Sequence, residues 1–403
     1  MPQKMHAQSK TKAQFQNQED QARDPAGPAK VLIQDAGYDA ALSLVIDRIL
    51  EAFPRDWAGK SVLIKPNILA PHSPDKGVTT HPTVIRAIVK ALFERGAKVM
   101  VGDNPGISAY GRSGRSAAVS GIEQAAQGCY VPLGQNPVRC QVSSQYFDHV
   151  AVSRQILEAD VLVNVPKLKT HTLTVLTAGI KNTFGYVAGG DKLRIHSACP
   201  RPHQFAQALV DIYSIRPPDL TILDAVVGMQ GNGPANGSPV ALGKIMASDN
   251  TVSLDAAAVS FLGQKPRSVP HIQEAGKRGL GEIDPARMQI QGQLQPVASF
   301  RFPQTFLPGL SGLILNRCLS RWINCLPEVV SSRCIKCGLC VSHCPVGAMQ
   351  MTDTGPAVQS EKCIHCYCCQ ELCPEDAILL KGRLLRLLRS RIPSSSPPRT
   401  SLR

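Results

Sequence analysis

The chain has 403 residues, of which 43% are apolar, 18% charged and only 5% aromatic, and 44 basic against 30 acidic side chains leave a formal net charge of +14. These figures exclude a collagenous chain, a small disulfide scaffold and a wholly disordered chain. Every apolar run of transmembrane length is broken by a charge or a helix breaker, which argues against an integral membrane protein.

Residues 1–28 are polar and lack the apolar stretch of a secretory signal, so they read as a disordered lead to a cytoplasmic protein in a reducing compartment. Five apolar runs follow that read as buried strands of a parallel sheet: 60–67, 97–106, 159–171, 219–228 and 243–250. Helical patterns lie between several of them. The run 81–96 places Pro82 in its first turn, an apolar stripe behind it and Gly96 just past its end. Runs 203–215 and 251–263 read similarly. The alternation predicts an α/β domain over 29–275, a mostly parallel sheet with flanking helices. Residues 276–330 read as a connector. Its apolar stretch 307–330, broken by Pro308, Arg317 and Arg321, is expected to pack between domains rather than to lie on a membrane surface.

Ligands of open parallel sheets bind at the carboxyl ends of the strands. Here those ends are unusually polar. The first closes with Lys65 and Asn67, the second with Asp103 and Asn104, and the third with Lys167, Lys169 and His171. The fourth passes Asp224 into a glycine-rich turn, and Lys181 and Asn182 add a further Lys-Asn pair. If these ends converge, Lys65, Lys167, Lys169 and Lys181 share one cleft with Asp103, Asp224 and as many as four histidines. Such a site suits a phosphate or carboxylate. A lysine desolvated among cations also titrates low enough for acid–base work. We therefore expect Lys65, Asp103 and His171 as catalytic residues: Lys65 or His171 (His203 being the other candidate histidine) gives a proton, and Asp103 orients the donor. Lys167, Lys169, Lys181, Asn182 and Gly231 are expected to hold an anionic small molecule or cofactor. Gly231 sits in Gly228-x-x-Gly231-x-Gly233, which either cradles a phosphate with backbone amides or merely turns the chain. The segment Gly190-Asp191-Lys192 departs from the P-loop pattern. No flavin or nicotinamide fingerprint is present, and a further organic cofactor stays open.

Nine of the 14 cysteines fall between Cys334 and Cys373. In a reducing compartment such a cluster points to metal rather than disulfides. Cys334, Cys337, Cys340 and Cys344 form a C-x2-C-x2-C-x3-C-P run, and Cys363, Cys366, Cys369 and Cys373 repeat it 29 residues later. Three thiolates at this spacing wrap one iron–sulfur cubane, and the fourth reaches the other cluster. Cys334, Cys337, Cys340 and Cys373 are thus expected on one [4Fe–4S] cluster, and Cys363, Cys366, Cys369 and Cys344 on a second. A zinc ribbon needs only paired CxxC knuckles and leaves four thiols unused. Cys368 is surplus and reads as a bystander. Residues 331–382 therefore form a small α+β, two-cluster ferredoxin-like domain, and 383–403 a basic tail. With no aromatics interleaved there for base stacking, a nucleic-acid partner is disfavoured.

The segments VLIKPNILAP, GVTTHPTVIRAIVKAL, VGDNPG, ADVLVNVPKLKTHTLTVLTAGIKNTFG and LDAVVGMQGNGP occur in this order over residues 30–265. In them the chain resembles the family of domain of unknown function 362, whose members often carry a two-cluster ferredoxin module at the C-terminus. The family-like positions are Lys65, Asn67, His81, Asp103, Lys167, Lys169, His171, Lys181 and Asn182. The resemblance implies an iron–sulfur protein and supplies no reaction. Our expectation is an iron–sulfur oxidoreductase that couples a redox partner protein (a ferredoxin, flavodoxin or oxidoreductase) to an anionic ligand in the lysine cleft. The alternatives are an electron carrier whose α/β domain only docks or regulates, and a protein that delivers clusters or metal.

Overall fold

The computed structural model describes residues 27–106, 113–306 and 325–381. The basic tail, the apolar core of the connector and nearly all of the lead lie outside the described residues.

The α/β part is built on a nine-stranded sheet. Its strands, with two off-sheet strands numbered in sequence, are β1 (Lys30–Asp35), β2 (Ser61–Pro66), β3 (Lys98–Val101), β4 (Pro137–Gln141), β5 (His149–Ser153), β6 (Val161–Val165), β7 (Lys167–His171), β8 (Val175–Thr177), β9 (Leu220–Gln230), β10 (Ser238–Ser248) and β11 (Gln289–Gln291). The spatial order is β11-β1-β10-β9-β6-β2-β3, with β7 paired to β9 and β8. β4 and β5 form a separate antiparallel hairpin. β2, β3, β6 and β9 run parallel, as the apolar runs predict. The run 243–250 departs from the prediction: it belongs to β10, which pairs antiparallel with both β9 and β1. The seven residues between β9 and β10 are too few for a parallel crossover, which needs a dozen or more. β11 pairs with β1 beyond residue 275, inside the segment expected as connector.

Both faces of the sheet are covered, so its strands alternate between two apolar cores. Val62 and Ile64 pack under helices Leu42–Ala52 and Pro82–Glu94, while Leu63 faces helix Pro202–Ile215. Helix Pro82–Glu94 starts on His81, whose Nδ1 accepts from the Thr83 amide at 3.3 Å, and Pro82 occupies its first turn. Helix Thr251–Phe261 is capped by Asn250, which accepts from Ser253 at 3.0 Å, and is buried on almost every side beneath β1, β9 and β10.

The cysteine module carries two antiparallel pairs, β12 (Leu326–Val329) with β15 (Ile378–Lys381) and β13 (Met349–Thr352) with β14 (Gly355–Val358). Two short helices, Leu339–Ser342 and Cys368–Leu372, complete it. The module is seated on the α/β part. Cys325, Tyr367 and Leu380 share one apolar core with Leu63, Phe184 and Phe205. Ser197 Oγ donates to Pro345 O, and Asn236 Nδ2 to Gln370 O, each at 3.3 Å.

Candidate active site between the sheet and the cysteine module

The carboxyl ends of β2, β3 and β7 open into one cavity. Lys65, Asp103, His171, Lys169, Lys181 and Asn182 all line it. So do Lys192, His196 and, from the cysteine module, Glu371. Lys65 Nζ is 2.6 Å from Asp103 Oδ1, and both side chains are nearly solvent-free. The other Asp103 oxygen accepts from the Ile68 amide at 2.6 Å. Gly185 is where these two charges approach the backbone: a Cβ there would lie 2.5 Å from Lys65 Nζ and 2.8 Å from Asp103 Oδ1. Gly185→Ala is therefore expected to push the pair apart and lower the melting temperature of the holo protein by several degrees, as strain in a packed site costs about 1–3 kcal/mol. Differential scanning calorimetry reads this directly.

Asn182 Nδ2 ties the site together, donating to Asn164 Oδ1 at 2.8 Å and to Pro66 O at 3.2 Å. Lys169 Nζ donates to Val78 O at 2.7 Å, and Lys192 Nζ to Asn104 O and Pro105 O at 2.7 and 2.6 Å. Burial, reinforced by neighbouring lysines, lowers Lys169 and Lys192 each to about 7. Burial likewise lowers Lys181, while Glu371 and Cys368 pull it back up. His171 Nδ1 accepts from the Leu173 amide at 3.1 Å, so its proton sits on Nε2, 3.3 Å from Glu371 Oε1. Burial and the nearby lysines hold His171 neutral at physiological pH.

Lys167, expected in the same cleft, is elsewhere. Its Nζ donates to Asp224 Oδ2 at 2.9 Å and to the Tyr38 hydroxyl at 2.7 Å. Tyr38 stacks on His81 with ring centroids 3.6 Å apart. Lys167 and Asp224 face each other across the β7–β9 ladder, and a register shift separates Lys167 from Lys169. That irregularity sends two lysines of one strand to different partners. Gly231 also lies outside the cavity, in a turn with φ +82° whose amide donates to Arg301 O at 2.6 Å. Here the chain turns, and the left-handed conformation accounts for the glycine. His203 is exposed on its helix and does not line the cavity.

The cysteines of the two motifs lie close together, and one cavity draws on both. Cys334, Cys337 and Cys340 enclose a cavity with Cys373, not with Cys344. Burial raises the Cys340 thiol to about 11, with Cys337, Cys373 and Cys334 adding to it. Burial also raises Cys369, and the other thiols acting on it are Cys366, Cys363, Cys340 and Cys344.

The family model described as domain of unknown function 362 matches residues 62–260. The chain is 30% identical over 257 residues to the thylakoid-associated protein sll1697 of Synechocystis, covering 62% of this chain and 78% of that one. The chain belongs to this family. A second family model, a 4Fe-4S dicluster domain, matches residues 333–377, so the C-terminal module of this family member is an iron–sulfur module of electron-carrier type. Among solved structures, the lactate racemase apoprotein from Thermoanaerobacterium thermosaccharolyticum aligns with 56% of this chain and 55% of its own at 14% identity, with a TM-score of 0.37. Among the described residues no helix is long and apolar enough to cross a membrane.

Two charged cavity residues escaped the sequence reading, Lys192 and Glu371. Lys192 lies in the segment set aside as a failed P-loop. Glu371 sits between two cluster cysteines, where nothing local marks it as facing the cleft.

Proposed function

We propose that this protein is an iron–sulfur oxidoreductase holding two [4Fe–4S] clusters, which exchanges electrons between a soluble redox protein and an anionic ligand in the lysine-lined cavity. One observation carries this reading: the module's helix Cys368–Leu372 supplies a wall of that cavity through Glu371. The Cys344, Cys363, Cys366 and Cys369 cluster then serves the cavity, since Cys369 lies on the same short helix as Glu371. The other cluster includes the exposed Cys337 and is the entry point for a partner. Cluster chemistry supplies one-electron steps at low potential. The chain's own residues hold the ligand beside the cluster. Lys169 and Lys192 place their charge around it, and His171 keeps a proton at Nε2, shared with Glu371.

The test is stopped-flow reoxidation of the dithionite-reduced holo protein by a panel of small organic and inorganic oxyanions. At least one acceptor is expected to reoxidise the clusters more slowly, by about tenfold or more, in Lys169→Met, because a charged hydrogen bond is worth about 1.5–3 kcal/mol. Identical rates for every acceptor would leave the protein an electron carrier whose α/β part only docks or regulates.

A further inference from the structure

Lys181 differs from the other cavity lysines. Its ammonium lies over the Phe184 ring at 4.9 Å and near the Phe205 ring at 5.8 Å. A ring face steadies a cation without using its N–H bonds. Among the described residues, no hydrogen bond or ion pair claims this Nζ. Lys169 spends one N–H on Val78, and Lys192 spends two on backbone carbonyls. Lysine carries three donors and no acceptor. The cavity wall is therefore rich in unspent donors.

Three further polar atoms on the wall have neither a hydrogen bond nor an ion pair, one of them the acceptor Asn67 Oδ1. Thr177 Oγ1, in a side chain 4% exposed, is the second, and Nδ1 of His196, also 4% exposed, is the third. His196 stacks on Phe205 at 4.4 Å, which fixes its ring beside Lys181. Buried polar groups of this kind are normally satisfied, and each one left over marks a place for a ligand or an ordered water.

Size narrows the choice. The cavity holds about 70 Å³, whereas pockets that bury drug-sized ligands run to about 300–1,000 Å³. A nucleotide or dinucleotide does not fit beneath the Cys368–Leu372 helix. We infer that the cavity takes a small oxyanion of only a few non-hydrogen atoms, a short carboxylate or an inorganic oxyanion, with Lys181 as its anchor and Thr177 and His196 as flanking contacts. This inference rests on the reading of the cavity as the ligand site.

The experiment titrates the anaerobic holo protein, full chain, with acetate, oxalate and inorganic phosphate, and in parallel with AMP and NADH, by calorimetry. At least one small anion is expected to bind, and Lys181→Met to weaken it about 10- to 100-fold, the worth of one charged hydrogen bond. Thr177→Val, which keeps the fold's volume and every charge, is expected to weaken the same anion by about fivefold, the worth of a neutral one. Unchanged visible absorption shows that the variants keep their clusters. Tighter binding of AMP or NADH than of every small anion overturns the inference, as does indifference to Lys181→Met or no binding at all. If the small anions bind through Lys181 but no acceptor reoxidises the clusters in a Lys169-dependent way, the redox reading fails and this one stands.

Discussion

Alanine at Cys373 is expected to damage the same cluster as alanine at Cys340, although the two residues lie in different motifs. Either single variant should fall from about eight iron atoms per chain toward about four, and the two should leave the same residual electron paramagnetic resonance spectrum. The double variant Cys340→Ala/Cys373→Ala should lose no more iron than either alone. Cys340→Ala/Cys344→Ala, with both changes in one motif, should lose both clusters. The reason is the arrangement of thiols: Cys373 closes the cavity of Cys334, Cys337 and Cys340, and Cys344 is among the thiols acting on Cys363 and Cys369. Iron and labile sulfide assays on anaerobically isolated variants decide it. If instead Cys340→Ala/Cys344→Ala kept half its iron, each motif would bind its own cluster and the crossed assignment would be wrong.

Asp224→Ala is the second large effect. Asp224 and Lys167 are both fully buried, 2.9 Å apart, and Tyr38 bridges them by accepting from Lys167 and donating to Asp224 Oδ1 at 2.8 Å. The His81 amide donates to the same carboxylate at 2.9 Å. Deleting the carboxylate strands an ammonium in an apolar interior. Breaking one side of such a pair costs about 3–5 kcal/mol, whereas replacing both partners by apolar groups of similar volume is close to neutral. Asp224→Ala should therefore lower the denaturation midpoint far more than the double variant Lys167→Met/Asp224→Leu. Equal losses for the two would mean that packing, and not the pair, sets the cost.

Much of this arrangement could be read from the residues. The doubled cysteine run announced its chemistry because ligand spacing is a local property. The parallel strands announced themselves because burial on both faces demands continuous apolar runs, as in Val62, Leu63 and Ile64. Lys65, Asp103 and Lys169 were found by asking which polar groups end those strands, and Lys181 by its place in a further Lys-Asn pair. What stayed hidden depends on contacts distant in sequence. Nothing in Lys167-Leu168-Lys169 reveals the register shift that parts the two lysines, since that shift is a relation with β9. Asp224 reads as one more cleft acid until its neighbour across the ladder is known. Glu371 is 200 residues from His171, and only the seating of one module on the other brings them to 3.3 Å. The antiparallel course of β10 was missed because an apolar run looks the same in either direction.

The helix Cys368–Leu372 has Cys369 within it and Cys373 immediately after it, and the crossed assignment tested above would put these two thiols on different clusters. Each end of the segment bearing Glu371 would then be moored to a different cluster. Oxygen damage to either one would loosen the wall of the cavity together with the wire that feeds it. On the proposed reading, loss of iron from either site would therefore weaken anion binding as well as electron transfer.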